Sequence, residues 1–335
     1  GITEVRYEQL TINNNVVLGA NQSWINGQTV TLNGDLTGAF ALTKETGGSD
    51  LVFTGSTLGG GLVHIKSGRL VVNPATVGGT VTLQSLRTQR DVRLGNNGLV
   101  NIATGSLGLS TASGFWIQPS GTGSVGRLTS SSGTLNLATV DTIGSVTTGA
   151  FTTVDHQIKT PIVDFNGTTP VGITKTGVNN LTLEAASTFS GPVTINGGRL
   201  QINTASSLGS GTGTVTVASG AQILLNAGAA VHANNFSIAG TGVVEGTTSY
   251  GAIRFNNNTI SGNVAIAAGG ARIGSTTSGT ISGALTGSGP LEINSSATGA
   301  NGAVVLSGNT SGYTGTATIS QGSLTISNNF GGSVI

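Results

Sequence analysis

The feature that most constrains this chain is a segment that occurs three times. Residues 51–72 read L-V-F-T-G-S-T-L-G-G-G-L-V-H-I-K-S-G-R-L-V-V, and residues 181–202 read L-T-L-E-A-A-S-T-F-S-G-P-V-T-I-N-G-G-R-L-Q-I. The two align without a gap: Leu51 with Leu181, Val63 and Ile65 with Val193 and Ile195, and Gly68-Arg69-Leu70 with Gly198-Arg199-Leu200. Residues 304–326, V-V-L-S-G-N-T-S-G-Y-T-G-T-A-T-I-S-Q-G-S-L-T-I, form a third copy with one inserted residue. In each copy short alternating apolar runs stop at glycine and resume at once. A unit of roughly 22 residues holding three short strands and three turns predicts one rung of a solenoid. One rung cannot bury its inward residues, and the next rung covers them. Asn-Gly pairs at Asn26, Asn33, Asn166, Asn196 and Asn301 suit the corners of such rungs. The same dipeptide also closes β-hairpins, but hairpins give no reason for the recurrence.

The rest of the sequence agrees with an all-β chain. No segment sustains apolar residues at i, i+3, i+4, i+7, whereas period-2 runs bounded by Gly, Asn or Ser are everywhere, such as Val215-Thr216-Val217 and Leu291-Glu292-Ile293. Glycine, at 56 of 335 residues, is the residue of sharp corners, and hydrophobic residues at 36% are too many for a disordered chain. Charged residues make up 7% and the net charge is +1, so no field exists to steer nucleic acid or anionic lipid. No apolar run is long enough for a membrane helix. The expectation is therefore no nucleic-acid partner and no membrane insertion by this segment. Cysteine is absent, which fits exported bacterial surface proteins, and the start at Gly1 reads as a mature or trimmed segment.

Around the repeats the pattern becomes specific. I-T-K-T-G-V-N-N-L-T-L at residues 173–183, followed by T-F-S-G-P-V-T-I-N-G-G-R-L-Q-I at 188–202, resembles the autotransporter-associated β-strand repeat, also called the passenger-associated transport repeat. Further copies are L-T-K-E-T-G-G-S-D-L-V-F-T-G at 42–55 and V-V-L-S-G-N-T-S-G-Y-T-G at 304–315. The units fall near 42–72, 173–202 and 297–326. Their signature positions are Lys44, Gly68 and Leu70 in the first, Lys175, Phe189, Gly191, Gly198 and Leu200 in the second, and Tyr313, Gly315, Gly322 and Leu324 in the third. The third unit lacks the lysine, and the first has Gly59 at the aromatic position with Leu58 beside it. The resemblance implies a right-handed, single-stranded parallel β-helix in a secreted or surface-displayed bacterial protein, with the repeat associated with passenger export and folding. On this reading residues 16–335 form a continuous solenoid and residues 1–15 a cap or docking segment.

Candidate chemistry is sparse. The densest group, Asp155, His156, Lys159 and Asp164 with Asp141, spans one or two rungs, where carboxylates on one face could pair. Adjacent Asp155 and His156 point to opposite faces of a strand, so they are expected as loop or corner residues. The basic stretch Arg87 to Arg93 reads as a solvated turn or salt-bridged edge, with binding of a sulfated or acidic glycan as the alternative. His64, His156 and His232 are isolated, and no metal site, cofactor or catalytic residue is expected. Trp24 and Phe115-Trp116 are expected to be buried or corner-capping, with sugar stacking as the alternative. The charge-rich N-terminus, with Glu4, Arg6, Tyr7 and Glu8, contrasts with ordinary rung sequence running through Phe330 to the last residue. This suggests end-to-end self-association of a structural stalk or filament subunit. An adhesin passenger that binds glycans or surfaces is the alternative, and a polysaccharide lyase or hydrolase is a third reading.

Overall fold

The computed structural model describes residues 9–25, 27–110, 116–121, 125–140, 151–294, 296–297 and 300–335. The chain divides into two compact units, residues 1–146 with 155–171, and residues 147–154 with 172–335. Among the described residues every regular element is a strand.

The first unit is a parallel β-solenoid whose turns carry three short strands. One ladder stacks Leu10–Ile12, Val30–Leu32, Leu51–Phe53, Leu70–Val72, Val92–Leu94 and Trp116–Pro119 in parallel. A second stacks Gln22–Ile25, Leu42–Thr46, Leu62–Ile65, Ser85–Thr88, Ser106–Ser110 and Thr134–Val140. The third contains Val16–Val17 with Leu36–Thr37, and then Thr80–Leu83, Leu99–Ile102 and Arg127–Thr129. Period-2 alternation sends every second side chain inward. Register then stacks like on like: Val30, Leu51, Leu70, Val92 and Ile117 form one buried column.

The second unit repeats the plan. Asn179–Leu183, Arg199–Ile202, Gln222–Leu225 and Ile253–Phe255 stack in one ladder, which continues through Val264–Ser275, Leu291–Asn294, Thr316–Gln321 and Ser333–Val334. Gly172–Thr176, Val193–Ile195, Val215–Val217, Phe236–Gly240 and Leu285–Gly287 belong to the second ladder, which also uses the first half of Val264–Ser275. Val231–His232, Asn258–Ile260, Ser278–Ile281, Ala303–Leu306 and Ser323–Ile326 form the third. Parallel pairing was the expectation from the repeat, and the three ladders of each unit meet it.

Register sharpens what the repeat is. Leu181 pairs with Leu200, Leu51 with Leu70, and Val304 with Leu324. The final strand of each copy therefore lies directly on its first. The 22-residue unit is one full turn plus the strand that begins the next, which is why both ends of the unit carry the same apolar alternation.

Asparagine side chains run between turns outside the apolar core. Asn33 Nδ2 donates to Asn13 Oδ1 at 2.8 Å, and Thr54 Oγ1 donates to Asn33 Oδ1 at 2.9 Å. In the second unit Asn226 Nδ2 donates to Asn203 Oδ1 (3.1 Å), Asn256 Nδ2 to Asn226 Oδ1 (2.6 Å) and Thr276 Oγ1 to Asn256 Oδ1 (3.1 Å). Each of these asparagines directly follows a strand, so the ladders satisfy polar groups where the chain leaves the backbone pairing.

Candidate functional site

The repeat signature assembles at one kind of corner. Lys175 sits in Gly172–Thr176 with its side chain wholly buried, a position that only a hydrogen-bonded amine tolerates. Its Nζ donates to the carbonyls of Thr176 (3.3 Å) and Gly177 (3.0 Å) in its own turn and of Gly197 (2.8 Å) in the next. The amine thus joins two successive corners through their backbone oxygens. Burial pushes its pKa down to about 7. Lys44 occupies the same place in the first unit and donates to Thr46 O (3.3 Å) and Gly47 O (3.2 Å). Its pKa is also lowered by burial, against the opposing charge of Asp50.

The glycines make room for this arrangement. Gly68, Gly198 and Gly322 all have positive φ (70°, 60° and 88°) at corresponding positions. A Cβ on Gly68 would fall 1.8 Å from Ser49 O and 3.0 Å from Lys44 Nζ. On Gly198 it would fall 2.6 Å from both Asn179 O and Gly177 O. Leu70 and Leu200 stack into the core, while Leu324 is half-buried on the last described turn. Phe189 and Tyr313 are both buried, and Leu58 fills the matching place in the first copy. The Tyr313 hydroxyl shares its hydrogen between Gly289 O (2.9 Å) and Thr316 O (3.0 Å). Gly191 and Gly315 are buried, and a Cβ on Gly315 would meet Gly289 O at 2.4 Å.

Residues 173–202 and 296–326 match the family of the passenger-associated-transport repeat. The chain carries this repeat twice. No curated protein and no solved structure matches the chain. Residues 42–72 lie outside the two passenger-associated-transport-repeat matches, yet Lys44, Gly68 and Leu70 reproduce the corner of the second copy.

The other sequence candidates scatter. His156 is buried on the inward side of Thr152–Ile158, while Asp155, on the other side, accepts from Gln157 Nε2 at 2.6 Å. Asp164 Oδ1 accepts the backbone N–H of Val171 at 2.8 Å and shapes a loop. Lys159 lies over Trp116, its Nζ 4.2 Å from the ring centroid. Asp141, Phe115, Glu4, Arg6, Tyr7 and Glu8 lie outside the described residues. In the basic stretch, Thr88 Oγ1 donates to Arg90 O at 2.6 Å and accepts from Arg90 N, and Arg93 lies 3.9 Å from Asp91, so it is a capped turn with a salt-bridged edge. His232 is buried, its Nε2 2.9 Å from Asn258 Oδ1. The two tryptophans part company: Trp24 is buried at 4% exposure, whereas Trp116, expected to be buried or corner-capping, is 40% exposed. Strand alternation is the reason, because Ile117 takes the inward position and turns its neighbour out.

His64 is buried in Leu62–Ile65, and its pKa is pushed down to about 4 by burial, with the cations of Arg87 and Lys66 adding to the shift and Glu45 opposing it. Between pH 6.5 and 4 the unfolded chain binds a proton that the folded chain refuses. Stability from this group is present above pH 6.5 and is lost as the pH falls towards 4. The urea midpoint is expected to drop across that window, and His64→Gln to flatten part of the drop. An unchanged slope in the variant assigns it elsewhere.

One feature of the second unit has no counterpart in the apolar pattern of the sequence. Val244–Glu245 and Thr248–Ser249 form an antiparallel hairpin that leaves the solenoid path. Glu245 Oε1 pins it, accepting from Arg199 Nη1 (2.9 Å) and Arg254 Nη1 (3.0 Å). The Arg199 guanidinium also lies 4.8 Å from the Phe151 ring, and that of Arg254 lies 4.2 Å from the Tyr250 ring. Two-residue strands carry no alternation for a sequence pattern to catch.

Proposed function

We propose that this chain is a non-enzymatic, surface-displayed or secreted β-solenoid that serves as a stiff stalk or filament subunit and associates end to end. The repeat and the solenoid fit a passenger domain. The observation that carries the finer reading is the like-on-like register: each turn presents its strands to the next in parallel, Leu181 on Leu200 and Val304 on Leu324, so the same pairing can continue from one copy to another. Stacking a turn of one copy on a turn of the next is a heterologous contact, and such contacts grow filaments. Glu4, Arg6, Tyr7 and Glu8 are proposed to dock at that junction.

Sedimentation velocity and electron microscopy test this reading on the 335-residue chain. The wild type is expected to form linear assemblies as its concentration rises. Val334→Lys, which puts a charge on the Ser333–Val334 strand, is expected to stay monomeric. A wild type that remains a monomer at high concentration overturns the proposal.

A further inference from the structure

An outward column of the first unit departs from the low-charge exterior. The residues before Leu51, Leu70, Val92 and Ile117 are Asp50, Arg69, Asp91 and Trp116, so strand register sets these side chains on successive turns, with Gln157 following Trp116. Turns repeat at about 4.8 Å. Arg69 forks onto Asp50 through Nε (2.9 Å) and Nη2 (2.8 Å). Asp91 accepts from the backbone N–H of Trp116 (3.1 Å) and from Gln118 Nε2 (3.3 Å). Gln157 Nε2 is held by Asp155, while its Oε1 is buried with no hydrogen-bond partner in the protein. Trp116 projects from the fourth of these five positions, steadied by Lys159.

We propose that this strip binds a neutral glycan chain lying along the stacking direction. The Trp116 ring takes the apolar face of a sugar, and Asp91 and Gln118 exchange hydrogen bonds with its hydroxyls. An aromatic ring with a large apolar face, fixed on a strand and flanked by amides and carboxylates, is chemistry suited to a polyol. Charge decides between glycan types. Asp50, Asp91 and Asp155 balance Arg69, Arg93 and Lys159, three acids against three bases, so the strip has no net field with which to select an acidic polymer. Exposing a tryptophan among outward Thr, Val and Gln has no value to a solenoid core, and the two hydrogen bonds onto Asp91 hold the strand in place beneath it. The inference is independent of end-to-end association.

The test is intrinsic fluorescence and calorimetric titration of the intact chain with four neutral probes, maltohexaose, cellohexaose, mannohexaose and chitohexaose, beside oligogalacturonate as the acidic probe. Saturable binding of at least one neutral probe is expected, insensitive to added salt. Trp116→Ala is expected to weaken it about tenfold or more while the far-UV circular dichroism is unchanged. Gln118→Ala is expected to weaken it less. Trp24→Phe, a buried substitution away from the strip, is expected to leave the affinity unchanged. The proposal is overturned if no neutral probe binds, if only oligogalacturonate binds, or if Trp116→Ala binds as tightly as the wild type.

Discussion

Gly68→Ala is expected to lower the unfolding free energy by about 3–5 kcal/mol. Two effects add. A left-handed residue bearing a Cβ costs about 1–2 kcal/mol, and forcing atoms into a packed site costs roughly 1–3 kcal/mol or more. At Gly68 the intruding Cβ would meet backbone, Ser49 O at 1.8 Å, so no side chain can swing aside. Gly198→Ala, with its nearest atoms at 2.6 Å, is expected to cost about 2–4 kcal/mol on the same two grounds. Gly167 supplies the control. Its φ is also 70°, yet nothing lies within 4 Å of a Cβ there. Gly167→Ala should therefore show the conformational cost alone. Urea unfolding followed by far-UV circular dichroism measures all three. Equal losses for Gly68→Ala and Gly167→Ala would show that close stacking at the corner plays no part.

Lys175→Met is expected to destabilise by an amount that grows with pH. Removing the amine takes a donor from the carbonyls of Thr176, Gly177 and Gly197, and a buried group left unsatisfied costs about 1–3 kcal/mol. Against this, the wild type at low pH bears the cost of a buried ammonium, which methionine relieves. Between pH 7 and the ordinary lysine value of 10.5 the unfolded chain keeps its proton and the folded chain gives it up, so wild-type stability rises with pH. The loss on substitution is expected to be about 0–2 kcal/mol at pH 6 and about 2–4 kcal/mol at pH 9, as the charge term fades and the orphaned carbonyls remain. Tyr313, whose pKa is raised by burial, contributes an opposite slope above pH 10, so the comparison belongs between pH 6 and 10. Denaturant curves of both proteins across that range decide it: a difference that does not vary with pH would mean that the amine is not held near its neutral point in the fold.

Much of this architecture was legible in the residues. Alternation at Val193-Thr194-Ile195 and Arg199-Leu200-Gln201-Ile202, on either side of Gly197-Gly198, predicted inward positions that the fold fills. The glycines of the repeat pointed to a corner, but nothing placed the signature lysine there or named the carbonyls that receive its amine, because backbone oxygens of a neighbouring turn carry no sequence mark. Register was hidden for a similar reason: that Leu200 lies on Leu181 depends on where the turn closes. The asparagine ladders left a readable trace, an Asn at once after a strand in Ile12-Asn13, Leu32-Asn33, Ile202-Asn203, Leu225-Asn226 and Phe255-Asn256. The outward aim of Trp116 followed from Ile117 facing in, a local rule that outranks the general tendency of tryptophan to be buried.

Because each copy ends on the strand that covers its own beginning, the unit is self-complementary along the stack. Duplicating or deleting residues 181–199 in frame would change the number of turns while leaving like strands facing like at the seam. The length of such a protein can then drift by recombination between its own repeats without any neighbouring turn being redesigned. The number of turns becomes a quantity that can change separately from the surface each turn carries.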